Sequence, residues 1–332
     1  MKVKSLIGKN LFIIGILGLL LLVAAGCTSS ADSKDKPAKV RLDYAYYSPT
    51  SLVLKEFGWL EEEFADDDIE IEWVLSQGSN KALEFLNSDS VDFGSSAGAA
   101  ALISKSNGAP IKNVFIYSKP EWTALVTNPD SGIKTIKDLE GKKVAATLGT
   151  DPYIFLLRAL NAEGVSVDDV EIVNLQHGDG ASSLITEAVD AWAGLDPHMA
   201  RLELESDAEL FYRDVDFNTY GFLNVREKFA EDYPEYVNRV IGVYEKARKW
   251  ASENPEETAE ILAEEAGIPI EVARKQLERT DYADPIPGEV HHDALVEAGK
   301  VLQDGAVIKE DIDLEELVSD LIESSYAEET IK

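Results

Sequence analysis

Cysteine is almost absent from this chain: one residue, Cys27, among 332. A lone thiol can neither close an intramolecular disulfide nor build a cysteine-based zinc site. Histidine is nearly as scarce. His177, His198 and the pair His291 and His292 show no H-E-x-x-H spacing, so neither metal nor other cofactor is expected. Positive charge is short by half, with 31 Lys+Arg against 62 Asp+Glu and a formal charge of -31. Nucleic-acid binding needs basic side chains on phosphates, and this balance argues against it. No P-loop occurs, no repeat appears at solenoid periods, and the acidic clusters at 61–63, 66–68 and 315–316 lack the alternating ligands of a calcium loop. What is present is a 45% hydrophobic fraction, which excludes global disorder, and a length that suggests two globular units.

Three lysines, Lys2, Lys4 and Lys9, precede an unbroken apolar run of 15 residues, Leu11 to Ala25. A membrane-spanning helix needs roughly 20 residues, so the run is short for a span and suits a signal-peptide core. It ends in Ala24-Ala25-Gly26-Cys27, which resembles a bacterial lipoprotein signal. That resemblance implies removal of residues 1–26, a lipid on Cys27, and an extracytoplasmic protein anchored to the membrane. The polar stretch at 27–38 reads as a flexible tether, and folding is expected to begin near Val40.

From there strands alternate with helices. Strand patterns fall at 40–45, 69–75, 91–94 and 111–118, then in WTALVTN, KVAATL, VEIVNL, DAWAG and AELFY. Helical periodicity falls at 52–64, 79–86 and 97–106, after Asp151 and after Gly180; from Val225 it dominates, at 234–253, 255–266, 270–279, 288–303 and 313–323. Such alternation predicts an α/β fold with parallel sheets covered on both faces.

Ligands of open α/β sheets sit beyond the carboxyl ends of the strands, so the strand-to-helix turns are informative. Five stand out: Ser48-Pro49, Gln77-Gly78-Ser79, Ser95-Ser96-Ala97-Gly98, Gly149-Thr150-Asp151-Pro152 and Leu195-Asp196-Pro197-His198. Each opens a helix, whose first N–H groups attract anions. Hydroxyls without basic side chains point to an oxyanion held by hydrogen bonds; ordinary capping is the plainer alternative. Neither hydroxyls nor backbone N–H groups titrate near neutrality, so affinity is expected to change little between about pH 6 and pH 8. Asp151 and Asp196 read as pure caps. Trp59 and Trp250 fit helix packing, whereas Trp122 and Trp192 lie beside the turns, where an aromatic can line a pocket; for Trp192 pocket and core both stay open. His291 and His292, adjacent on one helix, are expected to point to different faces and to solvent. Gly94-Ser95-Ser96-Ala97-Gly98 also matches the G-x-S-x-G nucleophile elbow, which keeps a serine esterase using Ser96 as the minority reading.

The stretches SVDFGSSAGAAALISKSNGAPIKNV, IKTIKDLEGKKVAATLGTDPYIFLLRAL and ITEAVDAWAGLDPHMA together resemble the substrate-binding proteins of bacterial ABC importers, in the group that takes aliphatic sulfonates, nitrate and taurine. The similarity runs from about Val40 to Ala327. The D-L-x-G-K-K-V stretch at Asp138 to Val144 is widespread among binding proteins, and the W-x-G-x-D-P stretch at Trp192 to Pro197 is closer to the sulfonate members. Where many of those carry a G-D-A-P-like turn, this chain has Ser95 to Gly98. The resemblance implies a two-lobed type II periplasmic-binding fold, each lobe a mainly parallel sheet flanked by helices. One lobe would take 38–119 plus 222–332 and the other 120–221. It further implies a monomeric, non-enzymatic binder of a small organic anion that delivers it to a permease and its ATPase. An aliphatic sulfonate comes first; nitrate, taurine or a thiamine pyrimidine precursor are the alternatives. Tyr46, Ser48, Gln77, Gly78, Ser79, Ser95, Ser96 and Ala97 would line one wall of the cleft. Trp122, Gly149, Thr150, Tyr153, Trp192 and Asp196 would line the other, the two tryptophans packing the ligand's tail.

Overall fold

The computed structural model describes residues 36–282 and 284–331. The signal-like segment 1–26, Cys27 and most of the tether lie outside them.

Among the described residues eleven strands form two sheets. The first contains β1 (Lys39–Tyr44), β2 (Glu70–Leu75), β3 (Phe93–Ala97) and β4 (Ile111–Pro120), then β10 (Gly221–Arg226) and β11 (Thr280–Asp281), in the order β11-β4-β10-β3-β1-β2. The second contains β5 (Leu125–Thr127), β6 (Lys143–Ala146), β7 (Glu171–Asn174), β8 (Ala191–Ala193) and β9 (Glu209–Tyr212), in the order β7-β6-β8-β5-β9. In both, a strand that arrives from the other sheet lies antiparallel to its neighbours: β10 between β3 and β4, and β5 between β8 and β9. The pairs β1–β2, β1–β3, β6–β7 and β6–β8 are parallel. The sheets are thus mixed, and the expected α/β architecture of two sheets flanked by helices is what the chain adopts.

Most elements fall where the patterns place them, and the differences have local causes. The single helix expected at 52–64 is two, Pro49–Glu56 and Trp59–Phe64, because Gly58 between them takes φ +61°, a left-handed conformation that ends a helix. Strand β3 runs to Ala97, so both serines of the G-x-S-x-G stretch lie within a strand. The helix expected after Gly180 starts at His177. Strand β10 has no counterpart in the sequence reading. Its first five residues are all buried, so the alternation that betrays a half-exposed strand is missing. The long helices Pro234–Glu253, Pro255–Ala266, Ile270–Leu277, Glu289–Asp304 and Leu314–Leu321 match the C-terminal expectation. Trp59 and Trp250 do pack helix on helix, with centroids 6.4 Å apart.

Four apolar clusters lie among the described residues, the smallest of them joining Leu52 to Ala259, Leu262 and Ala273. The largest fills the first sheet and its helices, from Leu42 and Phe93 to Tyr244 and Leu302. The second sheet has one cluster on each face, around Phe155 and Leu160 and around Leu184, Trp192 and Met199. Trp192 is completely buried there, so of its two open readings the core holds.

The two segments that cross between the sheets are tied side by side. Thr123 N–H donates to Asn218 Oδ1 at 2.9 Å. The buried carboxylate of Asp151 accepts from Trp122 Nε1 at 2.7 Å, Thr219 N–H at 2.9 Å and Thr219 Oγ1 at 2.7 Å. Asp151 is therefore no mere cap: it joins the helix it opens, Asp151–Ala162, to both crossing segments. His291, expected in solvent, is 1% exposed, accepts from Gly288 N–H through Nδ1 and meets the Tyr220 ring at 4.3 Å.

Candidate functional site

The carboxyl ends of parallel strands from both sheets open onto one cavity of about 330 Å³. Tyr46 and Tyr47 follow β1, and Ser76 and Gln77 follow β2. Gln176, His177 and Gly178 follow β7, while Leu195, Asp196, Pro197 and His198 follow β8. Each of these turns leads into a helix, at Pro49, Ser79, His177 and His198. The cavity therefore lies beside four helix starts; at the one opening at His198, Asp196 Oδ1 already accepts from Ala200 N–H. Arg201 supplies a cationic side chain at the rim, its Nε donating to Glu205 at 2.8 Å; Ala266 and Ile268 close the apolar side.

The floor on the first-sheet side is a buried hydrogen-bond cluster. Asp43, on β1, accepts from Ser76 Oγ at 2.5 Å and from Ser95 N–H and Oγ at 2.7 and 2.9 Å. Tyr47 Oη donates to Ser95 O at 3.0 Å. Burial pushes the Asp43 carboxyl up to about 6, against the pull of its donors. Across the cleft, Thr147 Oγ1 donates to Leu175 O at 2.6 Å and meets His177 Nδ1 at 3.2 Å. With its proton committed, Thr147 can only accept, so Nδ1 carries the imidazole proton and Nε2 keeps its lone pair. Burial drives the His177 pKa down to about 3 and lowers that of His198 as well, so both rings are neutral near pH 7.

Asp196 accepts from Ala200 N–H at 2.9 Å and from Arg279 at 3.3 Å. Arg279 also reaches Glu203, and Lys275 stands 3.8 Å from the same carboxylate. These pairs join the segment around Ile270–Leu277 to the helix His198–Glu205 beside the cavity. Desolvation raises the Asp196 pKa to about 7 in spite of Arg279. The cavity wall thus gains a negative charge across the range in which affinity was expected to stay flat.

Of the residues expected at the site, Tyr46, Gln77 and Asp196 line this cavity. Gly78 stands at its edge: a Cβ there would come within 2.8 Å of His177 Nε2 and 2.9 Å of Asn80 Oδ1. Ser48 is buried at the start of its helix, its hydroxyl interacting with the Tyr117 phenol. The others face elsewhere. Ser79 Oγ accepts from Ala97 N–H, Ser95 is held by Asp43, and Ser96 donates to Ala97 O and accepts from Asn224. Ser96 is wholly buried, and among the described residues no histidine is hydrogen-bonded to it, which removes the nucleophile-elbow geometry. Thr150 Oγ1 donates to Thr147 O, and Trp122, 3% exposed, is bound to Asp151 and meets Tyr47 edge-on. Gly149 faces a separate surface hollow with Asn80, and the half-buried Tyr153 and the wholly buried Trp192 pack against apolar clusters. Neither Trp122 nor Trp192 lines the cavity, whose apolar lining comes from Tyr46, Leu195, Pro197, Ala266 and Ile268.

The sequence reading missed Tyr47, Ser76, Gln176, His177, His198 and Arg201 as lining. The turn at Gln176 was legible in kind, since it follows a clear strand; placing the next helix three residues late hid it. Nothing local marks Ala266 or Ile268. Among the described residues no group of three metal-ligating side chains converges.

The family profile described as NMT1/THI5 like matches residues 53–258. A protein of Bacillus subtilis (strain 168), named for binding aliphatic sulfonates, is 28% identical over 325 residues, covering 95% of this chain and 97% of its own. Among solved structures, the alkanesulfonate-binding protein SsuA from Xanthomonas axonopodis pv. citri bound to MOPS superposes with a TM-score of 0.79 at 23% identity, covering 87% of this chain and 99% of that one. The nitrate-binding protein NrtA from Synechocystis PCC 6803 superposes with a TM-score of 0.75 at 13% identity, covering 89% and 88%.

Proposed function

We propose, for a chain that belongs to the NMT1/THI5-like family, the role of an extracytoplasmic solute-binding component of an ABC importer that captures a small organic sulfonate and performs no chemistry on it. The observation that carries this reading is the cavity between the strand ends of the two sheets. Helix starts offer N–H groups to an anion, and Leu195, Pro197, Ala266 and Ile268 offer apolar surface to a tail. The relative named for aliphatic sulfonates, matched over nearly its whole length, supports the ligand class. The paired sheets and tied crossing segments fit lobes that close by a hinge and present the loaded form to a permease.

Titration calorimetry tests the ligand. Propane-1-sulfonate is expected to bind more tightly than nitrate, which has no apolar area; burying a short alkyl tail contributes about 1–3 kcal/mol at ~25 cal/mol per Å². Nitrate binding as tightly as the sulfonate would end the sulfonate assignment. The same titration has an expected pH dependence. Above the Asp196 pKa of about 7 the carboxylate repels the bound anion, so affinity rises as the pH is lowered from 8 to 6. Asp196→Asn should remove that slope.

The anchor belongs to the same proposal. Cys27 follows the short apolar run, and no helix among the described residues is long and apolar enough to cross a membrane. Cys27→Ser is expected to release the protein from membranes. A Ser variant that stays with membranes after a carbonate wash would exclude the lipid anchor.

A further inference from the structure

Three aromatic rings meet on the surface of the helices that cover the first sheet. Phe57, 43% exposed, stacks on Trp59 with centroids 4.8 Å apart and meets Trp250 edge-on at 4.8 Å. Both indoles are half-buried, and the exposed Lys246 holds its ammonium 4.0 Å over the Trp59 ring. Chain direction fixes where this patch lies. The helix Pro49–Glu56 starts beside the cavity and delivers Phe57 to its opposite end. Strands β1 and β2 are parallel, so the helices between them carry the chain back from the cavity to the level of Lys39, where β1 begins. At that same end Lys36 Nζ donates to Asp67 O, in the short turn after the helix Trp59–Phe64. Only about 12 Å of helical rise separates Trp59 from Asp67.

We infer that Phe57, Trp59 and Trp250 rest in the interface of the bilayer that holds Cys27, keeping the cavity end of the molecule toward solvent. The inference rests on the lipid-anchor reading and adds to it the face that meets the membrane. The eight residues 28–35 between Cys27 and Lys36 span at most about 30 Å, so an anchored chain keeps this end of the fold near the lipid. Indoles favour the bilayer interface, and a lysine stem lies along apolar surface while its ammonium stays in water. Exposed Glu56, Glu61, Glu62 and Glu63 flank the rings, so the contact is apolar and suits zwitterionic lipid better than anionic lipid. Three rings are too small a surface to hold so acidic a protein alone; the anchor supplies the effective concentration.

The native protein, purified from membranes and reconstituted in phosphatidylcholine vesicles, is tested by tryptophan emission with brominated against unbrominated acyl chains. Bromine quenches an indole only at short range, and Trp122 and Trp192, 3% and 0% exposed, stay inside the fold. Emission is expected to fall in brominated vesicles by up to about two fifths, the share of Trp59 and Trp250 among five tryptophans. Phe57→Asp leaves both reporters and the anchor in place, and should abolish that loss without releasing protein from the vesicles; Phe57→Ser serves if the aspartate variant does not fold. Equal native emission in the two lipids, or a loss that the Phe57 variants leave unchanged, overturns the inference while the anchor stands. A chain not recovered from membranes overturns both. Equal emission together with a dimer that Phe57→Asp dissociates overturns the inference in favour of a second copy on the patch.

Discussion

Asp151→Ala is expected to lower the stability of the protein by about 3–5 kcal/mol, the range for breaking a buried charged network by removing one partner. The carboxylate is 1% exposed and accepts three hydrogen bonds, from Trp122 Nε1, Thr219 N–H and Thr219 Oγ1. Truncation leaves those donors without an acceptor, each at a cost of about 1–3 kcal/mol that relaxation reduces only in part. Asp151→Asn is the milder change: with its oxygen facing the two N–H donors, its amide nitrogen can donate to Thr219 Oγ1, so a loss of about 1–2 kcal/mol is expected, from the displaced hydroxyl proton. The effect should extend to the relation between the sheets, because Trp122 and Thr219 belong to the two segments that connect them. Urea denaturation of native and variant protein measures it, and a loss below about 1 kcal/mol for the alanine variant would show that the network contributes little.

Gly78→Ala should separate binding from stability. The backbone at Gly78 has φ 167°, an extended conformation that any residue adopts, so alanine strains no dihedral, and Asn80 Oδ1, 2.9 Å from the new Cβ, lies at the end of a side chain that can turn aside. Its Cβ would stand 2.8 Å from His177 Nε2, on a ring buried between Thr147 and the facing turn. That contact lies between elements of the two sheets, so it penalises their approach and not the folding of either. Overpacking of this kind costs about 1–3 kcal/mol, which appears as a sulfonate affinity weakened by roughly fivefold to a hundredfold. The urea midpoint should barely move. Unchanged affinity would mean that Gly78 and His177 do not meet in the liganded protein.

Both expectations depend on contacts that the linear pattern does not contain, and the limit of legibility can be read residue by residue. Periodicity located nearly every strand and helix, because it reports one element facing one core and needs no knowledge of the partner. Pro49 and Pro152 marked helix starts through backbone geometry alone, whereas the break at Gly58 went unread inside the helical periodicity of 52–64. The alternation also predicted that the site lies at strand-to-helix turns, and the cavity is lined by four of them.

Which turns meet was another matter. Ser95 and Ser96 look like exposed hydroxyls after a short strand, yet β3 is an interior strand between β1 and β10. Asp43 from one neighbour and Asn224 from the other take up their hydrogen bonds. Trp192 stands next to a turn that does reach the cavity, but its position on β8 turns the indole into the core of the second sheet. Conversely, His177 carries no motif and lines the candidate cavity because β7 delivers it against Gly78, a residue about a hundred positions earlier in the chain. Local sequence sets the conformation of each segment through sterics and side-chain periodicity. Strand order and the crossing of the chain between sheets bring distant segments together, and burial then sorts the same residue types into hydrogen-bonded core and cavity wall.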